Sequence, residues 1–483
     1  MKKALLILLA VTLAALSACS TDGGGANTTD TEEITTQEDT TEATPEYTVE
    51  EAQKITADHK QAATNAFASS PVCSAEDLLF EEMDGGVRIT GYEGDDLIVV
   101  IPDSIEGKAV LEIAEKAFKD MTALRAVCVP ESVRKICHGA FDGCNGLTTL
   151  KLPYSAAIYD IFDEDGDKTS DGFFGYIFGA SEYAINAAAV SFKLQTVIFT
   201  GEGKNVPEGA FYDCNDIVAL TLPDGIEKIG DFAFSNCSSL EYVNIGDTAT
   251  EIGEFAFNEC ASMLELTLPA TTKSIGLGAV QGCGALTSVT LPFVGGSADE
   301  NTYLGYIFGA ESYTLAGGFF PLSLQSITLL EGCRSIDDNA FNGCLTVREI
   351  IIPDGVERIG LRAFRNCKKL TSMSLPDSLL SVGDSAFIGC ESLAAVHLGK
   401  SLKSMGMQAF MGCGVLESIT LPDSLEKIPA SAFDSCTSLK TVSFGANVKE
   451  IGKNAFRGCT SITDFPAVSD NVTVMDGNTA IIK

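Results

Sequence analysis

Tryptophan is absent from the 483 residues of this sequence, and histidine occurs only three times. The histidines, His59, His138 and His397, are too widely separated to converge on one metal ion or one nucleophile. The signatures of serine hydrolases, zinc proteases, phosphate-binding loops and dinucleotide-binding folds are also missing. Without tryptophan, stacking on sugar rings is disfavoured as well. We therefore expect a protein that is not an enzyme, with no catalytic residue, no cofactor and no metal site.

Positively charged residues are scarce. Against 66 aspartates and glutamates there are 32 lysines and arginines, and the formal net charge is -34. So acidic a chain repels the phosphates of nucleic acids and the head groups of anionic lipids. We therefore expect neither nucleic acid among the partners nor electrostatic docking onto a membrane. Neutral or basic partners are favoured.

Long apolar runs are scarce too, and the clearest one, residues 4–16, directly follows two lysines. It is shorter than the ~20 residues that span a bilayer, but its length suits the apolar core of a signal peptide. The run ends in Leu16-Ser17-Ala18-Cys19, which resembles the lipobox of bacterial lipoproteins. The resemblance implies a signal peptide over residues 1–18 and lipidation of Cys19, with an ordinary secretory signal as the alternative. In both cases the mature chain is expected outside the cytoplasm.

The next segment, residues 19–47, is rich in threonine and acidic residues and contains no lysine or arginine. It buries too little apolar area to order itself, and its like charges keep it extended. We therefore predict a disordered acidic tether. Residues 48–82 are predicted to form a helical N-terminal segment, because Thr48 and Glu51 match a capping box. We interpret this segment as a small prelude or cap to the fold, with a partner-binding helix as the alternative.

A 23-residue pattern recurs from about residue 97 to residue 466. A clear copy reads Leu240-x-x-Val243-x-Ile245, then Ile252-Gly253, then Ala256-Phe257-x-x-Cys260. The first part alternates like a short strand, the Ile-Gly pair adds a core residue and a permissive turn, and the Ala-Phe pair fills the interior. One coil cannot bury its own apolar side chains, so coils must stack. We predict a mostly β leucine-rich-repeat solenoid over residues 83–483, whose short parallel strands, ~4.8 Å apart, form a curved sheet.

The pattern resembles the BspA-like branch of bacterial leucine-rich-repeat surface proteins over about three quarters of the chain. The segment Gly86-Val87-x-Ile89-Thr90-Gly91-Tyr92 and the following Ile101-Pro102 add to the resemblance. The resemblance implies secretion or display at the cell surface and, for several members, adhesion to host proteins or to other bacteria. It implies a fold and a location more directly than it implies a ligand.

Ten of the 16 cysteines occupy one equivalent position of the repeat, so stacking places them in a column. The spacing Cys-x-x-Cys, which is typical of metal sites, does not occur. Pairing along a parallel ladder would require the Cβ vectors to turn against the stack, so we expect buried, reduced thiols. Among the others, Cys73, Cys128, Cys137 and Cys333 could hold one disulfide, but their spacing selects no pair.

The 23-residue cadence is interrupted by two insertions, near residues 154–193 and 293–323. Both carry the same motif, Phe-Gly-Tyr-Ile-Phe-Gly-Ala at 174–180 and Leu-Gly-Tyr-Ile-Phe-Gly-Ala at 304–310, followed by a tyrosine. Insertions of this kind commonly protrude from one face of a solenoid, often the binding face, and exposed aromatic side chains make good contact anchors. The alternative is that these aromatics only pack the insertions onto the solenoid. The candidate ligand contacts are Tyr176, Phe178, Tyr183, Tyr306, Phe308 and Tyr313.

Together these features predict a lipid-anchored binding protein of the bacterial cell surface, an adhesin for a protein ligand on a host or on another bacterium. The expected contact surfaces are the two insertions and the sheet face, where hydroxyl side chains such as Thr221, Thr267 and Thr290 recur. The alternative is a structural or glycan-associating envelope protein without a specific protein ligand. The sequence selects neither the ligand, nor the membrane that holds the anchor, nor the oligomeric state.

Overall fold

The computed structural model describes residues 47–162, 168–300, 302–463, 465–467 and 471–478. All of them belong to one compact unit, Thr44–Lys483. The predicted signal peptide, Cys19 and residues 19–46 of the predicted tether lie outside the described residues, so those predictions stand as they were made. The described residues form an N-terminal helix and a β-solenoid of about 16 coils of roughly 23 residues, which confirms the predicted fold.

One side of the solenoid is a ladder of parallel strands, called here the long-strand ladder. Val197 pairs with Leu150 of the preceding coil and with Leu220 of the following coil, and all three side chains are buried. The residues between the buried positions point outward, as the alternation of a strand requires. Within the described residues the ladder has these strands: Ile98–Val100, Ala126–Cys128, Thr149–Pro153, Thr196–Thr200, Ala219–Thr221, Tyr242–Asn244, Glu265–Thr267, Ser288–Leu291, Ser326–Leu329, Glu349–Ile351, Ser372–Ser374, Ala395–His397, Ser418–Leu421 and Thr441–Phe444.

A second ladder of two-residue strands, the short-strand ladder, follows the long strands of the regular coils. The second residue of each strand except Thr473–Val474 is buried, as with Ile229 and Ile252, which pair with each other in parallel. The ladder stops before each insertion and resumes after it, whereas the long-strand ladder continues past both insertions. Its described strands are Lys135–Ile136, Asn205–Val206, Lys228–Ile229, Glu251–Ile252, Ser274–Ile275, Ser335–Ile336, Arg358–Ile359, Ser381–Val382, Ser404–Met405, Lys427–Ile428, Glu450–Ile451 and Thr473–Val474.

The glycine of the Ile-Gly pair has a different role from the expected one. Gly253 and Gly383 do not adopt the left-handed conformation that would explain a permissive turn. Instead, their backbones lie directly on the preceding coil: a Cβ added to Gly383 would be 2.5 Å from the carbonyl oxygen of Gly360. Glycine suits these two positions because a Cβ on either one would meet the backbone of the preceding coil.

Helix α1, Val49–Asn65, begins with the predicted capping box. The Thr48 hydroxyl accepts a hydrogen bond from the Glu51 N–H (3.2 Å), and the Glu51 carboxylate accepts one from the Thr48 N–H (2.8 Å). The helix ends at Asn65, and the remainder of the predicted segment 48–82 contains the strand Leu78–Met83. That strand pairs antiparallel with Gly86–Tyr92, which pairs in parallel with Lys108–Ile113. These strands start the solenoid.

The remaining described elements are short. Ser104–Ile105 pairs antiparallel with the start of Lys108–Ile113, and Ile161–Phe162 pairs antiparallel with Lys168–Ser170. Two single-turn helices and five 3-10 helices complete this part of the chain: Tyr154–Ala157, Asn186–Ala189, Ala75–Asp77, Phe174–Phe178, Tyr183–Ile185, Leu304–Phe308 and Ala316–Gly318.

The phenylalanines of the Ala-Phe pairs stack into a column inside the solenoid. Neighbouring rings are nearly parallel, with centroids 5.0 Å apart for Phe211 and Phe234 and 4.8 Å apart for Phe364 and Phe387. The Ala-Phe turns are also joined through the backbone: the N–H of Phe211 donates to the carbonyl of Ala233 in the next coil (2.7 Å). The interior is therefore held by a stack of rings and a parallel row of hydrogen bonds.

The cysteines form the predicted column, which Cys144 extends to eleven members. All are buried free thiols, so the prediction of buried, reduced cysteines is confirmed. Each thiol that follows a regular coil donates to the carbonyl of the phenylalanine in the preceding coil, as Cys260 does to Phe234 (3.1 Å). Burial raises the pKa of the Cys144 thiol to about 12, which keeps it protonated at neutral pH. Cys73, Cys128, Cys137 and Cys333 are free thiols as well.

Candidate binding surface

The motif shared by the two insertions forms a rung of the solenoid. In the first insertion the motif is the 3-10 helix Phe174–Phe178. The N–H of Phe141 in the preceding coil donates to the carbonyl of Ile177 (2.9 Å), and the N–H of Phe174 donates to the carbonyl of Ala210 in the following coil (2.8 Å). These bonds are the ones that join the Ala-Phe turns of regular coils. The second motif makes the equivalent bonds, so each insertion is an enlarged coil.

Two of the six candidate contacts are excluded by this arrangement. Phe178 is 2% exposed and Phe308 is 1% exposed, which contradicts their expected role as exposed anchors. The physical reason is continuity of the phenylalanine column. Phe178 packs on Phe141 with centroids 6.1 Å apart, and Phe174 packs on Phe211 at 5.3 Å. For these two residues the alternative holds: they pack the insertion onto the solenoid.

The motif tyrosines, Tyr176 and Tyr306, are half-buried. The ring of Tyr176 meets His138 edge-on at 5.0 Å and Tyr159 at 5.9 Å, while Tyr306 lies 6.1 Å from Tyr303. Burial raises the pKa of both phenols. Each tyrosine is therefore fixed by its neighbours and keeps only part of its ring at the surface.

The segment after each motif carries the exposed large apolar side chains of its insertion. It takes sixteen positions from Phe178 to Leu194, whereas the equivalent link in a regular coil, from Phe234 to Leu240, takes six. The second insertion has the same length of link, from Phe308 to Leu324. Both links therefore carry ten additional residues at the same place in the coil.

The two links expose apolar side chains at matching positions, counted from the start of each motif. These are called here the insertion patches. Ile185 corresponds to Leu315, and Phe192, 60% exposed, corresponds to Leu322, 86% exposed. The predicted tyrosines Tyr183 and Tyr313 also correspond. Tyr183 is half-buried beside Tyr212, with centroids 5.9 Å apart, and Tyr313 is exposed.

The four aliphatic and aromatic residues of the patches were not among the sequence-based candidates. The signal was available, because Ile185 and Leu315 each lie eleven positions after the start of their motif, and Phe192 and Leu322 lie eighteen after it. The residue types at the matching positions differ, so the repetition is visible only in their spacing from the motif, which is the buried part of the insertion.

Helix α1 lies on the long-strand ladder, far along the chain from its own position. Its Ala52 is fully buried against Leu264 and Ala285, with Tyr47 and Ile55 packed beside them. Of the two interpretations given for this segment, a small prelude or a cap, the cap does not describe α1. A cap would continue the stack of coils, whereas α1 covers outward-facing residues in the middle of the ladder.

Polar contacts fix α1 at three further points. The Thr56 hydroxyl donates to Glu265 (2.7 Å), and His59 Nε2 lies 2.8 Å from a carboxylate oxygen of Glu241. At the other end, the Gln325 side-chain amide donates to the carbonyl of Tyr47 (2.8 Å). Part of the sheet face that was expected to contact ligands is thus occupied by the chain itself.

Reactive groups are dispersed in the described part of the chain. His138 lies beside Tyr176 and His397 is on the strand Ala395–His397, so each histidine has separate surroundings. No group of three histidine, cysteine, aspartate or glutamate side chains among the described residues is placed to hold a metal ion. No described helix combines the length and the apolar character needed to cross a membrane.

Several solved structures of leucine-rich-repeat proteins are similar to this chain. A leucine-rich repeat protein from Bacteroides ovatus is 23% identical over 81% of this chain and 93% of its own, with a TM-score of 0.33. A leucine rich cell surface protein from Faecalibacterium prausnitzii is 20% identical over 85% and 97%, with a TM-score of 0.25. The pneumococcal vaccine antigen PcpA is 18% identical over 85% and 95%, with a TM-score of 0.28. None of the curated proteins compared with the chain matches it significantly.

The family comparison is more direct. The model of the BspA type leucine rich repeat region matches residues 101–162, 186–304, 316–396 and 358–479, well over half of the chain. The matched residues are the coils whose strands, phenylalanine column and cysteine column are described above. The chain belongs to the BspA type leucine-rich-repeat family.

Proposed function

We propose that this chain is a lipid-anchored binding protein of the bacterial cell surface, an adhesin that holds a protein ligand on its two insertion patches. The observation that carries the proposal is the repetition of one exposed apolar set at equivalent places in both enlarged coils. Single exposed apolar side chains are ordinary, but clustered ones mark interaction sites. A set that recurs together with its supporting motif is difficult to explain by packing, because these side chains are exposed to solvent.

The spacing of the patches describes the ligand. Five coil steps separate the two motifs in the phenylalanine column, which at the ~4.8 Å spacing of parallel strands is about 24 Å. The ligand would therefore be an extended or repetitive surface with two apolar contacts at this separation. The net charge of -34 favours a neutral or basic protein. Tyr183 and Tyr313 would supply the polar edge of each contact.

Binding, rather than catalysis, agrees with the chemistry of the described side chains. Burial raises the pKa of column thiols such as Cys260 well above the ordinary value, so they are poor nucleophiles. The histidines share no site with them or with one another. The anchor on Cys19 is part of the same proposal and has its own test. A Cys19→Ala chain should fail to incorporate labelled fatty acid and should be released from the cell, and retention of the label would contradict lipidation.

The binding test uses the full chain, with neutral or basic proteins of host extracellular matrix, serum and bacterial surfaces as candidate ligands. In the patch variant, Ile185, Phe192, Leu315 and Leu322 are all replaced by serine. A matched control replaces Leu345, Met407 and Val415, which are exposed apolar residues of regular coils, by serine. We expect saturable binding that weakens at least 10-fold in the patch variant and is unchanged in the control. Equal binding by both variants contradicts the proposed site, and binding of glycans alone would support the glycan-associating alternative.

A further inference from the structure

Helix α1 runs along the solenoid, across successive strands. Its contacts begin with Tyr47 at the coil of Gln325 and end with His59 at the coil of Glu241, three coils earlier. The twelve residues from Tyr47 to His59 span about 18 Å of helix, and three coil steps span about 14 Å. One helical turn rises ~5.4 Å, close to the spacing of the coils, so each turn of the helix meets the next coil. The ladder thus offers a regular track for a helix.

This part of the ladder accepts a small residue of the helix at one point and polar side chains at the next two. Ala52 is fully buried over Leu264 and Ala285, a position that a larger side chain could not enter without lifting the helix. One and two turns further on, the acceptors are the carboxylates of Glu265 and Glu241, and they take a hydroxyl and an imidazole from α1.

The apolar contact of α1 with the ladder is small, and the helix is held mainly by the polar contacts described above and by the stacking of His59 on Tyr242, with centroids 6.4 Å apart. Ala52 is the one fully buried residue of this 17-residue helix, and helices of this length are marginal when they stand alone. The Glu265 carboxylate accepts from the hydroxyls of Thr56 and Ser288, both neutral donors, and the Glu241 carboxylate is bound by His59. Guanidinium groups at the same positions would place a full positive charge beside each carboxylate and would bind it through two N–H donors.

We propose that residues Glu241, Leu264, Glu265 and Ala285 form a helix-binding site for a basic amphipathic helix of a partner protein, and that α1 occupies this site until such a helix displaces it. The partner helix carries a small residue where α1 has Ala52 and an arginine or lysine at each position of Thr56 and His59. The site is separate from the insertion patches, so it gives the protein a second contact surface. The state of α1 determines whether that surface is open.

The test measures a labelled peptide that copies residues 47–66 with T56R and H59R, binding to the full chain. The variant Ala52→Glu places a charge on the buried contact and should release α1, while Ala57→Glu makes the same change at an exposed alanine of the same helix. We expect the Ala52→Glu chain to bind the peptide at least 10-fold more tightly than the wild-type and Ala57→Glu chains. Adding Glu241→Gln and Glu265→Gln to the Ala52→Glu chain should reverse the gain.

Two outcomes overturn the proposal: equal affinity of the Ala52→Glu and Ala57→Glu chains, or an affinity that the glutamine substitutions leave unchanged. Hydrogen exchange on the wild-type chain provides a measurement that needs no variant. Saturating peptide should accelerate exchange of the α1 amides, and unchanged exchange with peptide bound would show that it binds elsewhere. The insertion-patch variant should bind the peptide normally, which separates this result from the test of the proposed function.

Discussion

The phenylalanine column can be tested at Phe387, which lies in the middle of the longest regular stack. Its side chain is buried, and its ring lies 4.8 Å from Phe364 and 4.9 Å from Phe410. Replacement by alanine removes a complete rung and leaves a cavity that the backbone ladders prevent from closing. Buried Phe→Ala changes cost about 4 kcal/mol in general. Phe387→Leu keeps most of the volume and should cost about 1.5 kcal/mol.

The assay is urea unfolding followed by far-ultraviolet circular dichroism, since the chain has no tryptophan to report by fluorescence. Phe192→Ala, at an exposed phenylalanine of an insertion patch, is the matched control and should change the free energy of unfolding by less than about 0.5 kcal/mol. Two results would show that the phenylalanine column does not stabilise the fold as described. One is a similar change in the free energy of unfolding for Phe387→Ala and Phe192→Ala, and the other is an equal change for Phe387→Leu and Phe387→Ala.

Three further predictions follow from the coil geometry. Gly383→Ala should destabilise the chain by about 2 kcal/mol, because the new Cβ meets the backbone of the preceding coil; Gly318→Ala, where the space is open, should be neutral in the same unfolding assay, and equal effects would reject the close-approach explanation. Burial raises the pKa of thiols such as Cys260 and Cys413, so at high pH the folded chain keeps protons that the unfolded chain loses. The free energy of unfolding should therefore fall above about pH 9, by about 1.4 kcal/mol per pH unit for each such thiol. An unfolding midpoint in urea that does not change between pH 7 and pH 10 would contradict this sign. At neutral pH the half-buried Cys128 should react with a maleimide well before Cys260 or Cys413, and mass spectrometry showing equal labelling would mean that the column is open to solvent.

The sequence predicts the repeating part of this fold well, because the pattern is periodic and each coil meets only its neighbours. The strand positions, the buried cysteines and the capping box of α1 are all local or periodic features. The role of the Ile-Gly glycine was misjudged since sequence shows where a glycine is but not what approaches it. The backbone of the preceding coil lies against Gly383, but a glycine that only permits a turn would give the same Ile-Gly pair in the sequence.

Two features of the binding surface could not be obtained from the sequence. Phe178 is buried because it continues a stack, and the motif differs enough from Ala-Phe-x-x-Cys to look like an addition to the solenoid. The position of α1 depends on a contact between Ala52 and Leu264, which lie far apart in the sequence, and a short, weakly amphipathic helix gives no signal for such a contact. In neither case does the repeat pattern in the sequence indicate the contact.

The central claim, that the ligand sits on the two insertion patches, is tested most directly by site-specific photo-crosslinking. A photoreactive phenylalanine derivative would replace Phe192, Leu322 or Leu345, one position per chain, and the purified ligand would be added before irradiation. If the ligand lies on the insertion patches, crosslinks form from positions 192 and 322 and none form from position 345, which lies on a regular coil. Crosslinks from 345 alone, or equally from all three positions, would contradict it.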